Sequence, residues 1–327
     1  RALHATMKCV VSIALCLSAL SAARDHRIPG GAQHRGHRLR EDVLARALAA
    51  ATLEYFPHGV VVLRKAVPSL LQRFLVRDLL RDEVRYAPRY QAGEDPYRKP
   101  GEMTARSLAL LQWDYYKRPA RDELGVYPSV REAQRMGQAA LDELGRRVRL
   151  DLWRHSVGNS GPMGRAEDFA FPYGANMASF LALAYREDDE TPWHFDLAGT
   201  QGWVLSATIG ASSLLQYMVA DKTSLAFFAT LRGQTPRGKI HNTWLDNGDL
   251  VMFHGGHLLH RVGNTTRAPE PWLGELIAMH QNSSRQYTRL PMGVQRVNLQ
   301  IRPFSCEVGL RQNPFARDDV ACLHHSF

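Results

Sequence analysis

From residue 177 onward the chain is a series of short apolar segments separated by turn-forming residues: MASFLALAY, GWVLSATIG, SSLLQYMV, SLAFFATL, KIHNTWL, DLVMFHG and LGELIAMH. Runs of this length, bounded by Gly, Asn, Asp and Pro, read as strands rather than helices. Asp246-Asn247-Gly248 is the clearest turn among them, because Asn and Gly tolerate the backbone angles that tight turns require. Many short strands at such spacing can bury their apolar faces only in a sandwich or barrel. The second half therefore predicts an all-β core.

The first half differs. EDVLARALAAATLEYF has helical periodicity, and HGVVVLRKAVP reads as a short buried strand stopped by Pro68. SLLQRFLVRDLLRDEVRY predicts a helix with Ser69 as N-cap, and a second helical zone runs from about Thr104 to Tyr116. A third helix is expected from Ser129 to about His155, its leucine and methionine stripe facing a core. Residues 87–103 and 156–168 read as loops. The expected organisation is a helical N-terminal part over 41–168, a β core over 169–300 and a tail over 301–327. The fold class is α+β, with helices packed on one sheet.

The beginning of the chain is of another kind. From Met7, MKCVVSIALCLSALSAARD offers a lysine, an apolar run and then small residues, the pattern of a secretory signal ending near Ala23. A membrane anchor is the alternative, though the run is shorter than the roughly 20 residues of a spanning helix. Residues 24–40 are polar, basic and Gly-containing, a linker composition. Secretion, or residence in the endoplasmic reticulum lumen, agrees with cysteine usage. Beyond Cys9 and Cys16 only Cys306 and Cys322 remain, either one disulfide or two free thiols. Asn264 and Asn282 head Asn-X-Ser/Thr acceptor tripeptides. The net charge of +9 is spread along the chain without a dense Lys/Arg run carrying interleaved aromatics, so nucleic acid is not an expected partner.

The chemistry concentrates in TPWHFDLAG, residues 191–199. On a strand, residues i and i+2 share a face, so His194 and Asp196 would project together while Phe195 points into packing. Downstream lies GDLVMFHGGHLLHRVGN, which reads as a strand, a glycine turn and the start of another strand. Two histidines and one carboxylate on one face leave coordination positions open, an arrangement suited to non-haem Fe(II) and oxygen chemistry. His260 is the candidate to complete His194 and Asp196. His254, His257 and His260 could instead form a zinc cluster, but Gly255-Gly256 opposes the helix that such spacing favours, and no glutamate of the HExxH kind is present.

HFD, GDLVMF and HRV, in that order, resemble the 2-oxoglutarate and Fe(II)-dependent dioxygenases, most of all their prolyl-hydroxylase-like branch. The resemblance covers roughly residues 169–285, with HGVVVLRKAVPSLLQRFL similar to the usual lead-in strand and helix. It implies a double-stranded β-helix (jelly-roll) core, His194, Asp196 and His260 as iron ligands, 2-oxoglutarate as cosubstrate and ascorbate as a candidate auxiliary. In that family a basic residue about ten positions after the second histidine pairs with the far carboxylate of the cosubstrate. Here that position is Glu270, of the wrong sign, so Arg267 is the nearest candidate. Tyr185, nine residues before His194, matches a cosubstrate-binding tyrosine. Related halogenating enzymes have a small residue in place of the carboxylate, so Asp196 implies hydroxylation.

The expected activity is that of a hydroxylase acting on a peptidyl side chain, such as proline, or on a small molecule. Two readings compete with it. One is a cupin-like metal-dependent β-barrel enzyme without 2-oxoglutarate, favoured by the missing basic residue. The other is a non-catalytic binding protein on the same fold, disfavoured by the intact His194, Asp196 and His260. Neither oligomeric state nor substrate is legible, because specificity lives in loops that motifs do not describe.

Overall fold

The computed structural model describes residues 41–91, 108–113, 128–148, 176–187, 189–191, 193–195, 203–219, 238–256, 258–265, 270–283 and 293–304. The chain separates into two compact units, residues 1–43 and 44–327, and every described strand belongs to the second. Ten strands are described: β1 (Thr52–Phe56), β2 (Val60–Arg64), β3 (Leu108–Trp113), β4 (Asn176–Arg186), β5 (Trp203–Gly210), β6 (Ser213–Val219), β7 (His241–Leu245), β8 (Leu250–His254), β9 (Leu258–Thr265) and β10 (Val294–Phe304). Helices are α1, ending at residue 50, α2 (Ser69–Gln91), α3 (Pro128–Arg147) and α4 (Pro271–Ser283).

The larger sheet has the order β1-β2-β8-β5-β10-β4-β3 and the smaller β7-β6-β9, with antiparallel neighbours throughout. An isolated bridge pairs His194 with His260 and so adds a fourth position to the smaller sheet beside β9. Following the chain, β4 lies in the larger sheet, His194 in the smaller, β5 in the larger, β6 and β7 in the smaller, β8 in the larger, β9 in the smaller and β10 in the larger. This alternation is the double winding of a jelly roll.

Each central strand divides its residues between two cores. Leu205, Ala207 and Ile209 of β5, Leu250 and Met252 of β8, and Val297, Leu299 and Ile301 of β10 pack with the helices. Val204, Val251 and Phe253 face the smaller sheet instead, meeting Leu215, Tyr217, Leu245, Leu258 and Val262. On the helical side lie Leu71, Leu75, Val76 and Leu79 of α2 and Ala133, Met136, Ala140 and Leu144 of α3. These are the stripes that helical spacing predicts, and each buried leucine contributes roughly 1.5–3 kcal/mol.

Four local expectations are corrected. Residues 52–56 form β1 rather than extending the first helix, because Thr52, Tyr55 and Phe56 favour extended backbone and pair with β2 through the Pro57–Gly59 turn. LALLQW, expected to be helical, is β3; its short apolar run fits either state, and pairing with β4 decides it. LGELIAMH, expected to be a strand, lies within α4, where Leu273 and Ile277, one turn apart, bury one face. Thus the segment read as helical, 41–168, also contributes three strands to the larger sheet. At the start of α2, the Pro68 carbonyl accepts the first helical bond from Gln72 N at 3.0 Å, so Pro68 and not Ser69 occupies the cap.

The β7–β8 turn forms as expected, with Asp249 N donating to Asp246 O at 3.0 Å and Gly248 at φ +83°. The buried Asp249 carboxylate accepts from Arg64 Nη1 at 2.7 Å, Lys65 N at 2.9 Å and Asp246 N at 2.8 Å. The Gly-Asp pair ahead of LVMF therefore ties β8 to β2. Among the described residues no helix is long and apolar enough to cross a membrane. SLAFFATL, Cys306 and Cys322 lie outside the described residues.

Candidate functional site

His194 and His260 meet across the edge of the smaller sheet. His194 N donates to His260 O at 2.9 Å, and His260 N donates to His194 O at 3.0 Å, a fully bonded antiparallel pair. Residues paired in this way present side chains on the same face, and the two imidazoles lie with centroids 4.3 Å apart. His260 shares the parity of Leu258 and Val262, so it faces the space between the sheets, where Phe253 meets its ring edge-on at 4.8 Å. Trp193 and Phe195 fall on the opposite face and are buried with Met218 and Leu259, as the alternation of TPWHFDLAG predicts. Arg261 covers Trp193 from that side at 5.3 Å.

The His260 ring is oriented by its own strand. Its Nδ1 lies 2.9 Å from the carbonyl oxygen of Leu258, and since a carbonyl only accepts, Nδ1 carries the proton. In the neutral ring Nε2 then keeps its lone pair, which is the form that ligates a metal. Asp196, Arg267 and His257 lie outside the described residues, and among the described residues no group of three ligating side chains is present. His254 pairs with Trp203 and packs against that ring at 5.1 Å, on the helix-facing side of the larger sheet. It is turned away from His260, which removes it from the zinc-cluster alternative.

On its inward face, the larger sheet holds a group that sequence reasoning missed. Arg296 of β10 is fully buried (0% exposed). Among the described residues its Nε and Nη1 have no hydrogen-bond partner, and Nη2 reaches Thr208 Oγ1 at 3.4 Å. Tyr185 stands directly across on β4, its ring 4.7 Å from the guanidinium carbon. Burial pushes the pKa of Arg296 down, with the Tyr185 phenol opposing that shift.

A β-bulge aims Arg296 inward. The register of β10 on β4 shifts between Val294 and Arg296, leaving Gln295 as the extra residue. Val294 and Val297 consequently both pack on the helical side, whereas Arg296 and Asn298 turn toward the smaller sheet. In an unbulged strand Arg296 would follow Val294 to the helical side. Thr208, Ser206 and Asn298 continue a buried polar strip along the same inner wall, with Asn298 Nδ2 2.8 Å from Ser206 Oγ.

The barrel interior thus offers two imidazoles from the smaller sheet and, from the larger, a cation with no anionic partner among the described residues. A buried guanidinium without an anion is costly, and its unsatisfied N–H donors suit an anionic acceptor such as a carboxylate. Glu270, at the position where the resemblance expects a basic residue, instead binds Asn247 Nδ2 through Oε1 at 3.1 Å. Helix α4 lies between β9 and β10, so Arg296 falls much later in the sequence than that position.

No protein-family model matches the sequence, and no curated protein matches it. Among solved structures, OsALKBH1 is similar at 17% identity and a TM-score of 0.41, over 77% of this chain and 99% of that one. A Pseudomonas putida prolyl-4-hydroxylase is similar at 14% identity and a TM-score of 0.31, over 80% of this chain and 97% of that one. Overlaps this loose carry no functional conclusion for this chain.

Proposed function

We propose that this chain is an Fe(II)- and 2-oxoglutarate-dependent dioxygenase, hydroxylating a peptidyl side chain such as proline or a small molecule. The observation that carries this reading is the buried Arg296, without an anionic partner among the described residues, on the face of the larger sheet that also carries Val204 and Phe253. A jelly roll that only bound an apolar ligand would have no reason to hold an uncompensated guanidinium in its interior.

In this reading His194, Asp196 and His260 hold the metal, and Arg296 takes over the role first given to Arg267, receiving the far carboxylate of 2-oxoglutarate. Tyr185 walls that subsite with its ring and offers its hydroxyl to the same carboxylate. His260 contributes a fixed tautomer, because the Leu258 carbonyl holds its other nitrogen. Phe253 and Tyr217 narrow the space around the histidines and limit water there. When bound, iron and 2-oxoglutarate would supply oxygen activation coupled to decarboxylation of the cosubstrate. Arg296 weighs against the cupin-like alternative, whose main support was the missing basic residue after His260. Nothing in the described residues bears on ascorbate, and the secretory address remains a proposal resting on the apolar run after Met7.

The test is anaerobic titration with Fe(II) and 2-oxoglutarate, followed by succinate measurement on admitting oxygen. Oxygen-dependent succinate release that disappears in both His194→Ala and His260→Ala is the expected result. Release that persists in both variants, or none from the unmodified protein, would overturn the reading.

A further inference from the structure

A second pair of histidines stands apart from this site. His58 lies in the Pro57–Gly59 turn between β1 and β2, at the edge of the larger sheet. Its backbone is left-handed, φ 62° and ψ 32°, a conformation that costs free energy in any residue carrying a Cβ. His241 opens β7, the far edge of the smaller sheet, on the inward face shared with Leu245, and the Tyr217 ring stacks on it at 5.7 Å. The chain separation is 183 residues, yet the two Nε2 atoms are 3.3 Å apart.

That spacing lets one imidazole donate to the other, and it also fits a shared ion. Two imidazole nitrogens, each about 2.0–2.1 Å from one tetrahedral ion, stand about 3.3 Å from each other. The rings are also edge to face, at 78° with centroids 4.9 Å apart, so they do not stack, and the same nitrogen of each ring lies at the contact. Burial holds both imidazoles below the ordinary histidine range, with Lys239 nearby adding to the effect, and the neutral form is the one that ligates.

We propose that His58 and His241 form a second metal site, for an imidazole-preferring divalent ion such as Zn²⁺ or Cu²⁺, clasping the β1–β2 turn to β7. Among the described residues no third His, Cys, Asp or Glu joins the pair, so water completes the coordination shell. Lys239, exposed, opposes a cation there, and no carboxylate among the described residues invites a hard ion. Selectivity should therefore follow imidazole affinity and exclude Mg²⁺ and Ca²⁺. The site is distinct from the first histidine pair: His241 pairs with Tyr217, which pairs with His260, placing two strand spacings, roughly 10 Å, between them.

The experiment is Zn²⁺ titration of the chelator-stripped full chain against a chromophoric competitor, in the parent, His58→Gln, His241→Gln and His194→Ala. One Zn²⁺ equivalent should weaken at least about tenfold in His58→Gln and in His241→Gln. It should survive in His194→Ala, which separates this site from the proposed catalytic one, and Mg²⁺ should not displace it. Parent stoichiometry and affinity in both glutamine variants would overturn the proposal. Should a variant fail to fold, the parent decides: Zn²⁺ must shift the ring nitrogen resonances of His58 and His241, and unmoved resonances would equally overturn it.

Discussion

Replacing Arg296 by methionine should make the ligand-free protein more stable and deaf to 2-oxoglutarate. Methionine has similar reach, no polar hydrogen and enough flexibility to fill the volume. The parent buries Nε and Nη1 without acceptors, and each unsatisfied buried donor costs about 1–3 kcal/mol. Removing both is worth roughly 2–6 kcal/mol. Against this stand the long 3.4 Å contact to Thr208 and the stacking on Tyr185, together about 1–2 kcal/mol. The net expectation is a gain of about 0–5 kcal/mol, which raises Tm by up to roughly 7 °C in a chain of this size. The parent, in turn, should gain about 2.7 kcal/mol at a hundredfold excess of 2-oxoglutarate over Kd, and the variant almost nothing. Scanning calorimetry of the anaerobic Fe(II)-loaded proteins, with and without 2-oxoglutarate, reads both effects. A variant that melts below the parent and still responds fully to 2-oxoglutarate would refute the reasoning, leaving Arg296 a structural residue.

Tyr185→Phe keeps the ring beside Arg296 and loses the hydroxyl, so 2-oxoglutarate affinity should fall about tenfold; an unchanged thermal-shift titration would remove the phenol from the subsite. Gly248→Ala should cost more than about 1 kcal/mol, since φ is +83° and the new Cβ would stand 2.7 Å from the Val67 carbonyl oxygen; a urea midpoint equal to the parent's would contradict this. Asp249→Ala strands two backbone amides, Lys65 N and Asp246 N, and removes one of the two carboxylates on Arg64, which keeps Glu54. It should destabilise by about 3 kcal/mol, and equilibrium denaturation showing less than about 1 kcal/mol would disprove that role.

Much of the site was legible because it depends on local periodicity. In TPWHFDLAG, alternation alone separates His194 from Trp193 and Phe195, and the structure puts those two aromatics in a core on the other face. The turn at Asp246-Asn247-Gly248 and the return of the chain to His260 were equally readable, since glycine and asparagine mark positions that other residues enter only at a cost. The helix stripes of α2 and α3 follow from 3.6-residue spacing. Short apolar runs such as LALLQW and LGELIAMH were not decidable, because four to eight apolar residues satisfy a buried strand and a buried helix turn alike.

Arg296 belongs to what only the tertiary structure decided. In VQRVNLQIRPF the polar residues Arg296, Asn298, Gln300 and Arg302 alternate with apolar ones, which by itself describes a strand with a solvent face. The strand cannot say what covers that face; here it is the smaller sheet, and the bulge at Gln295 chooses which residues turn to it. The same holds for His58 and His241, whose 183-residue separation closes to 3.3 Å only when the two sheet edges come together. Periodicity fixes which side chains share a face, because that is a property of one strand's backbone. Whether a face meets water, a helix or a second sheet is a property of the partner, and no segment carries that information by itself.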